Sequence, residues 1–144
     1  MAIRFVIYGL LGWCMEIVWT AVTTTLKGEQ QGWRLEGKSY LWMFPIYGLV
    51  APLFEPLHDL LRPWPWLARG SLYVLGFWTV EYGTGWLLRR LTGACPWDYS
   101  RTRWHVHGLI RLDYAPAWFL VGMGLERLHD VLVRLTPAIQ QALR

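Results

Sequence analysis

The chain has 144 residues, enough for one domain. Of these, 54% are hydrophobic and 17% charged, below the roughly 25% charged usual in soluble domains. Its net charge of +4 comes from Lys and Arg scattered singly, which excludes the basic run or stripe of a nucleic-acid surface. Eleven Trp and seven Tyr are many for this length, and such rings collect at membrane–water interfaces.

Four segments are apolar enough for spanning helices, which need about 20 mostly apolar residues. The first, 3–26, begins like a signal peptide, with Arg4 and then an apolar run. It lacks a small-residue cleavage site, so it reads as a retained span. The polar stretch KGEQQGWRLEGKSY (27–40) leads to the second span, 41–62. RPWPWLARG (62–70) follows, with two prolines that stop the helix and two Trp suited to the interface. The third span covers 69–91. TGACPWDYSRTRWHVHGLIR (92–111) is the longest connection, and a loop of that length without its own helix is more often functional than passive. The fourth span, 112–134, precedes a short surface helix at 137–144.

The expected architecture is therefore all-α: a single transmembrane domain over 1–144, forming a four-helix bundle in the inner (plasma) membrane. Four crossings put the termini and the 62–70 turn on one face. Six Lys and Arg fall on that face and eight on the face of the two long loops, which points to cytoplasmic loops. Cys14 reads as a small core residue and Cys95 as a loop residue, with no disulfide between them.

The pattern Glu-x-Leu-His-Asp-x-Leu occurs twice, at 55–61 and 126–132, 71 residues apart. The same shift places Gly37 on Gly108, Pro45 on Pro116 and Leu49 on Leu120. A shift of 65 places Tyr8 on Tyr73, Trp13 on Trp78 and Glu16 on Glu81. The difference is a six-residue insertion around CPWDYS. The chain thus reads as two copies of a helix–loop–helix unit, about 3–62 and 69–134. Each copy crosses twice, so a pseudo-two-fold axis along the membrane normal is expected.

Glu16 and Glu81 lie mid-span, where an acidic residue costs about 2.5–3.5 kcal/mol on insertion scales. As equivalent positions they are expected to face each other near the axis, where two like charges favour uptake of a proton. Interhelical hydrogen bonding is the plainer alternative. Trp13, Trp78, Tyr47, Asp98 and Tyr99 complete the expected ligand-binding set.

Glu55-x-x-His58 and Glu126-x-x-His129 each put Glu and His on one helical face, with Asp59 and Asp130 beside the glutamates. The order Glu, ExxH, Glu, ExxH is that of di-iron and di-manganese bundles, so Glu55, His58, Glu126 and His129 are candidate metal ligands. The levels meet only if the second and fourth helices begin late, near Pro45 and Pro116, or the third helix is tilted. One haem held by His58 and His129 is another alternative. The plainest reading makes these groups interface markers with Arg62 and Arg134 as counter-charges. His105 and His107, with Cys95 or Asp98, match no standard zinc spacing. The loop reads instead as a cap, whose Arg101, Arg103 and Arg111 would suit phosphate. No GxxxxGK[ST] or GxSxG motif occurs, so no catalytic residue is assigned and no cofactor is expected beyond the metal or haem alternatives.

At GWCMEIV, FPIYGL, VEYGTG and WDYS…HG.I.L the chain resembles the Putative ABC-transporter type IV family, small four-span membrane proteins. The resemblance covers most of 8–122. It rests on Gly12, Trp13 and Glu16; Pro45, Tyr47 and Gly48; Glu81, Thr84 and Gly85; and Trp97, Asp98, Tyr99, Ser100 and Gly108. His105 and Leu109 stand where the family favours Asn and Arg, and paired ExxH sites are not part of its pattern. The resemblance implies transport. The resulting expectation is a non-enzymatic, permease-like module or a membrane subunit of a larger complex. Its buried carboxylate site would take a proton, cation or polar ligand. Its partners would be the lipid bilayer, other membrane subunits or further copies of the chain. A membrane-embedded redox protein and a purely structural subunit are the alternatives.

Overall fold

The computed structural model describes residues 1–143. The chain divides into two compact units, Met1–Leu53 and Phe54–Arg144. It is mostly helical, as the composition and hydrophobic runs suggest, with one two-residue hairpin as the exception.

In the first unit, helix α1 (Ala2–Leu26) is an uninterrupted apolar run that stops where Gly28 turns the chain at φ 71°. Among the described residues it is the one helix long and apolar enough to cross a membrane by length and composition, with a mean hydropathy of 1.7. Helix α2 (Met43–Gly48) packs against it through rings set on glycines. A Cβ on Gly9 would lie 2.8 Å from the Phe44 ring, and one on Gly48 would lie 2.6 Å from Phe5. One on Gly12 would overlap Tyr47. The polar link between α1 and α2 folds back on α1. Thr20 Oγ1 donates to the Lys38 carbonyl and accepts from its N–H, both at 2.9 Å. The Trp13 indole donates to the Tyr40 carbonyl at 2.9 Å.

After α2 the backbone widens into a π-helical stretch, Val50–Phe54, and then resumes as α3 (Glu55–Leu61). Pro52 and Pro56 supply no N–H, which suits a place where the regular hydrogen-bond ladder gives way. Helices α2 and α5 do begin late: α2 opens at Met43, two residues before Pro45, and α5 opens at Ala115 with Pro116 in its first turn.

In the second unit, α4 (Trp66–Thr92) starts from Pro65 in extended conformation and ends on Gly93. The left-handed Gly93 (φ 77°) returns its N–H to the Arg89 carbonyl, a glycine stop that needs no Cβ. Helix α5 (Ala115–Ala142) runs on through Pro137. The expected separate tail helix is therefore the last part of α5. The proline removes one ladder bond, and in the same turn Thr136 Oγ1 donates to the Leu132 carbonyl at 2.6 Å. Helices α4 and α5 approach closely where glycines face rings. A Cβ on Gly70 would overlap the Phe119 ring, and one on Gly122 would meet Tyr73 at 2.8 Å.

The long connection is a folded cap on α4. Its strands β1 (His105–Val106) and β2 (Ile110–Arg111) pair antiparallel, with His107 and Gly108 left-handed between them. The Trp97 indole donates to the Leu109 carbonyl at 2.9 Å, the Trp78 indole to the Arg111 carbonyl at 3.2 Å, and Arg89 Nη1 to the His107 carbonyl at 2.8 Å. Both cysteines are free; Cys14 is exposed, so it is not the core residue its apolar context suggested, and Cys95 is half-buried.

Two glycines two residues apart on α5, and so on opposite faces, should respond oppositely. Gly122→Ala drives a methyl into Tyr73 and should cost about 1–3 kcal/mol. Gly124, with open space around it, should gain up to about 1 kcal/mol as alanine. Unfolding of the purified protein in detergent measures both.

Candidate functional site

The second unit buries charged side chains beside its apolar core while leaving many large apolar ones at the surface. Leu67, Leu75, Leu87 and Leu91 of α4 and Leu120 and Val131 of α5 are exposed. Glu55, His58, Glu126 and His129 are buried, with His58 and His129 each only 3% exposed. The three-residue spacing within α3 and within α5 puts each Glu and His on one face. The two faces meet, and the contacts cross between them. His58 Nδ1 lies 3.5 Å from Glu126 Oε1, and His58 Nε2 lies 4.0 Å from Asp130 Oδ1. Reciprocally, His129 Nδ1 lies 3.4 Å from Glu55 Oε1, and His129 Nε2 lies 3.5 Å from Asp59 Oδ1. The two imidazoles touch edge-to-face with centroids 5.2 Å apart.

Helix α4 completes the cluster. Arg69, in its first turn, donates from Nε and Nη2 to the two Glu126 oxygens at 2.7 and 3.0 Å. One turn on, the Tyr73 hydroxyl donates to Glu126 Oε1 at 2.9 Å and sits 3.0 Å from His58 Nδ1. Because the Tyr73 proton is committed to Glu126, His58 must donate its Nδ1 proton to the Tyr73 oxygen. That fixes the tautomer and leaves His58 Nε2 as a buried lone pair with no hydrogen-bond partner. Arg62 bridges Asp130 and Asp59 at the exposed edge. A polar cleft of about 310 Å³ opens beside the cluster, lined by His58, Arg62, Arg69, Glu126, Arg127 and Asp130.

The four expected metal ligands are thus gathered, but the Glu-ExxH-Glu-ExxH shell is not. Glu81 lies eight residues beyond Tyr73 on α4, about 12 Å along the axis at 1.5 Å per residue, too far to share a ligand set with His58 and Glu126. Glu126 is taken by Arg69 and Tyr73. A haem between His58 and His129 does not fit either, since rings in edge-to-face contact leave no gap for a porphyrin plane. Of the expected counter-charges Arg62 serves, whereas Arg134 makes no ion pair among the described residues. Arg69 and Tyr73 fill roles the sequence reading had not assigned.

Each mid-span carboxylate has a partner in its own unit. Glu16 accepts from Ser39 Oγ at 2.7 Å, with Tyr47 also reaching it. Glu81 accepts from the Tyr99 hydroxyl of the cap at 2.9 Å, and the Trp118 indole neighbours it. The Trp13 and Trp78 indoles donate to the Tyr40 and Arg111 backbone carbonyls. Asp98 closes a turn by accepting from the Ser100 N–H and hydroxyl, both at 3.0 Å, and these donors hold its carboxyl below the usual range. The loop histidines are engaged locally. His105 Nδ1 accepts from the Gly108 N–H at 2.9 Å, and His107 Nδ1 is 2.8 Å from the Tyr82 hydroxyl. Arg111 pairs with Asp113 and lies over the Tyr114 ring at 4.1 Å.

In the second unit a hydrogen-bonded charged cluster is thus buried while large apolar side chains of α4 and α5 lie at the surface. The chain belongs to the Putative ABC-transporter type IV family, whose model matches residues 3–143. No solved structure matches it.

The two arginines should differ sharply in worth. Arg69→Gln strands a buried carboxylate and should destabilise the protein by about 3–5 kcal/mol. Arg62→Gln breaks half-exposed pairs and should cost no more than about 1 kcal/mol. Denaturant unfolding in detergent separates the two.

Proposed function

We propose that this protein is a multi-pass membrane module, permease-like or a membrane subunit of a larger transporter assembly. In this reading its polar interior, the α3–α5 cluster and the capped Glu81, handles a small polar or ionic ligand. The observation that carries it is the buried charged cluster of the second unit beside large apolar side chains exposed along α4 and α5. The length of α4 and α5 agrees: 27 and 28 residues rise about 40 Å, more than the roughly 30 Å of hydrocarbon. An apolar groove of about 640 Å³ lined by Val74, Leu75, Trp78, Phe119 and Leu120 has the lining an acyl chain would take. The family's description supplies the link to transport.

We further infer that the module arose by duplication of a helix–loop–helix unit. Paired contacts in the two units support this. With shifts of 65 for the first helix and 71 for the second, the Trp13 indole bond to the Tyr40 carbonyl corresponds to the Trp78 bond to the Arg111 carbonyl. The Gly12–Tyr47 contact corresponds to the tilted ring contact of Phe77 with Trp118, 5.2 Å between centroids. The Phe5–Gly48 contact corresponds to Gly70–Phe119, with ring and glycine exchanged.

The two native cysteines test the membrane reading. In intact membranes a water-soluble maleimide should label Cys95 of the cap and not Cys14 of α1, which should react only after detergent is added. Burial pushes the Cys95 thiol above its usual range, so its thiolate is scarce at neutral pH. Its labelling rate should therefore rise as pH increases through and beyond about 8.5, the ordinary thiol value. Release of the chain by alkaline carbonate, with Cys14 labelled as readily as Cys95, would overturn the proposal.

A further inference from the structure

Two imidazole nitrogens of the α3–α5 cluster are buried without a hydrogen-bond partner: His129 Nδ1, which faces Glu55 Oε1 at 3.4 Å, and His58 Nε2. Of the two, His58 Nε2 carries a lone pair because Nδ1 holds the proton. A nitrogen with a free lone pair in such a place calls for an acceptor of electrons. One nitrogen from each of His58 and His129 and one Asp130 oxygen lie within 4.8 Å of one another. We propose that His58, His129 and Asp130 bind a single divalent first-row transition-metal ion at the head of the polar cleft.

The donor set selects the class of ion. Two imidazoles and a carboxylate suit zinc, iron, manganese or cobalt, whereas calcium and magnesium require mostly oxygen. Metal–ligand bonds of about 2.0–2.2 Å set ligand atoms roughly 3–4 Å apart, so closing the site needs a shift of under about 1 Å. The surroundings are those of a ligating histidine. Its far nitrogen donates, through Tyr73, to the Glu126 carboxylate, and Arg69 holds that carboxylate in place. Glu126 is therefore a positioning group and not a ligand. When an Asp130 oxygen turns to the ion, Arg62 retains Asp59 at 3.3 Å. The cleft of about 310 Å³ leaves coordination positions open to water or to a ligand. This inference rests on the cluster being the polar site of the proposed function, though not on its role in transport.

The test uses the full chain purified in detergent, stripped with chelator and titrated with Co2+. One ion per chain is expected, with visible absorption of a nitrogen–oxygen environment and displacement by Zn2+. His58→Ala and His129→Ala should weaken binding by more than about 100-fold. Tyr73→Phe, which loosens the tautomer, should weaken it by about 10- to 100-fold. Glu126→Gln should still bind one ion. Asp130→Asn, close in shape to the native side chain, should shift the Co2+ spectrum even if the alanine variants fold poorly. Absence of saturable Co2+ binding, wild-type affinity in folded histidine variants, or two ions per chain would overturn the proposal. Those results would leave the cysteine labelling pattern untouched, so failure here is separable from failure of the membrane reading.

Discussion

An ionised carboxylate cannot stand alone inside an apolar helix pair, and the second unit is arranged around that constraint. Glu126 on α5 is answered by Arg69 and Tyr73, which lie one turn apart on α4 and reach it together. Satisfying Glu126 fixes the direction of the Tyr73 proton, which fixes the His58 tautomer and bares His58 Nε2. The close approach of α4 and α5 is part of the same arrangement, because Gly122 gives the Tyr73 ring its place. Packing and chemistry here share their residues: a methyl at Gly122 would displace the hydroxyl that orders the imidazole.

The cap solves a second instance of the same problem. Glu81, farther along α4, is met by Tyr99 from a loop that the Trp97, Trp78 and Arg89 bonds tie down. A polar loop thus supplies the hydroxyl that α4 lacks at this level. The segment CPWDYS has a structural use here, since it includes Trp97 and Tyr99 themselves.

The repeated Glu-x-Leu-His-Asp-x-Leu made the cluster legible in the sequence, because identical spacing on two helices implies two equivalent faces. Its internal pairing was not legible. Helical periodicity says that Glu55 and His58 share a face but not that each histidine turns to the other repeat's carboxylates. Arg69 was hidden because RPWPWLARG reads as a turn, whereas α4 begins at Trp66 and puts Arg69 in its first turn. One signal was available: the 65-residue shift that aligns Tyr8 with Tyr73 also aligns Arg4 with Arg69. The di-metal order failed on depth, which a list of residues does not encode. The late helix starts at the two prolines, by contrast, followed directly from proline chemistry.

The exchanged pairs Phe5–Gly48 and Gly70–Phe119 bear on how such a chain can change over time. At both places one bulky ring fills one notch, but the ring comes from the leading helix in one half and from the trailing helix in the other. Neither arrangement converts into the other by a single substitution, since an intermediate holds either two rings or none. The present pairs lock each helix to its own neighbour, and transplanting one helix between the halves would mismatch both.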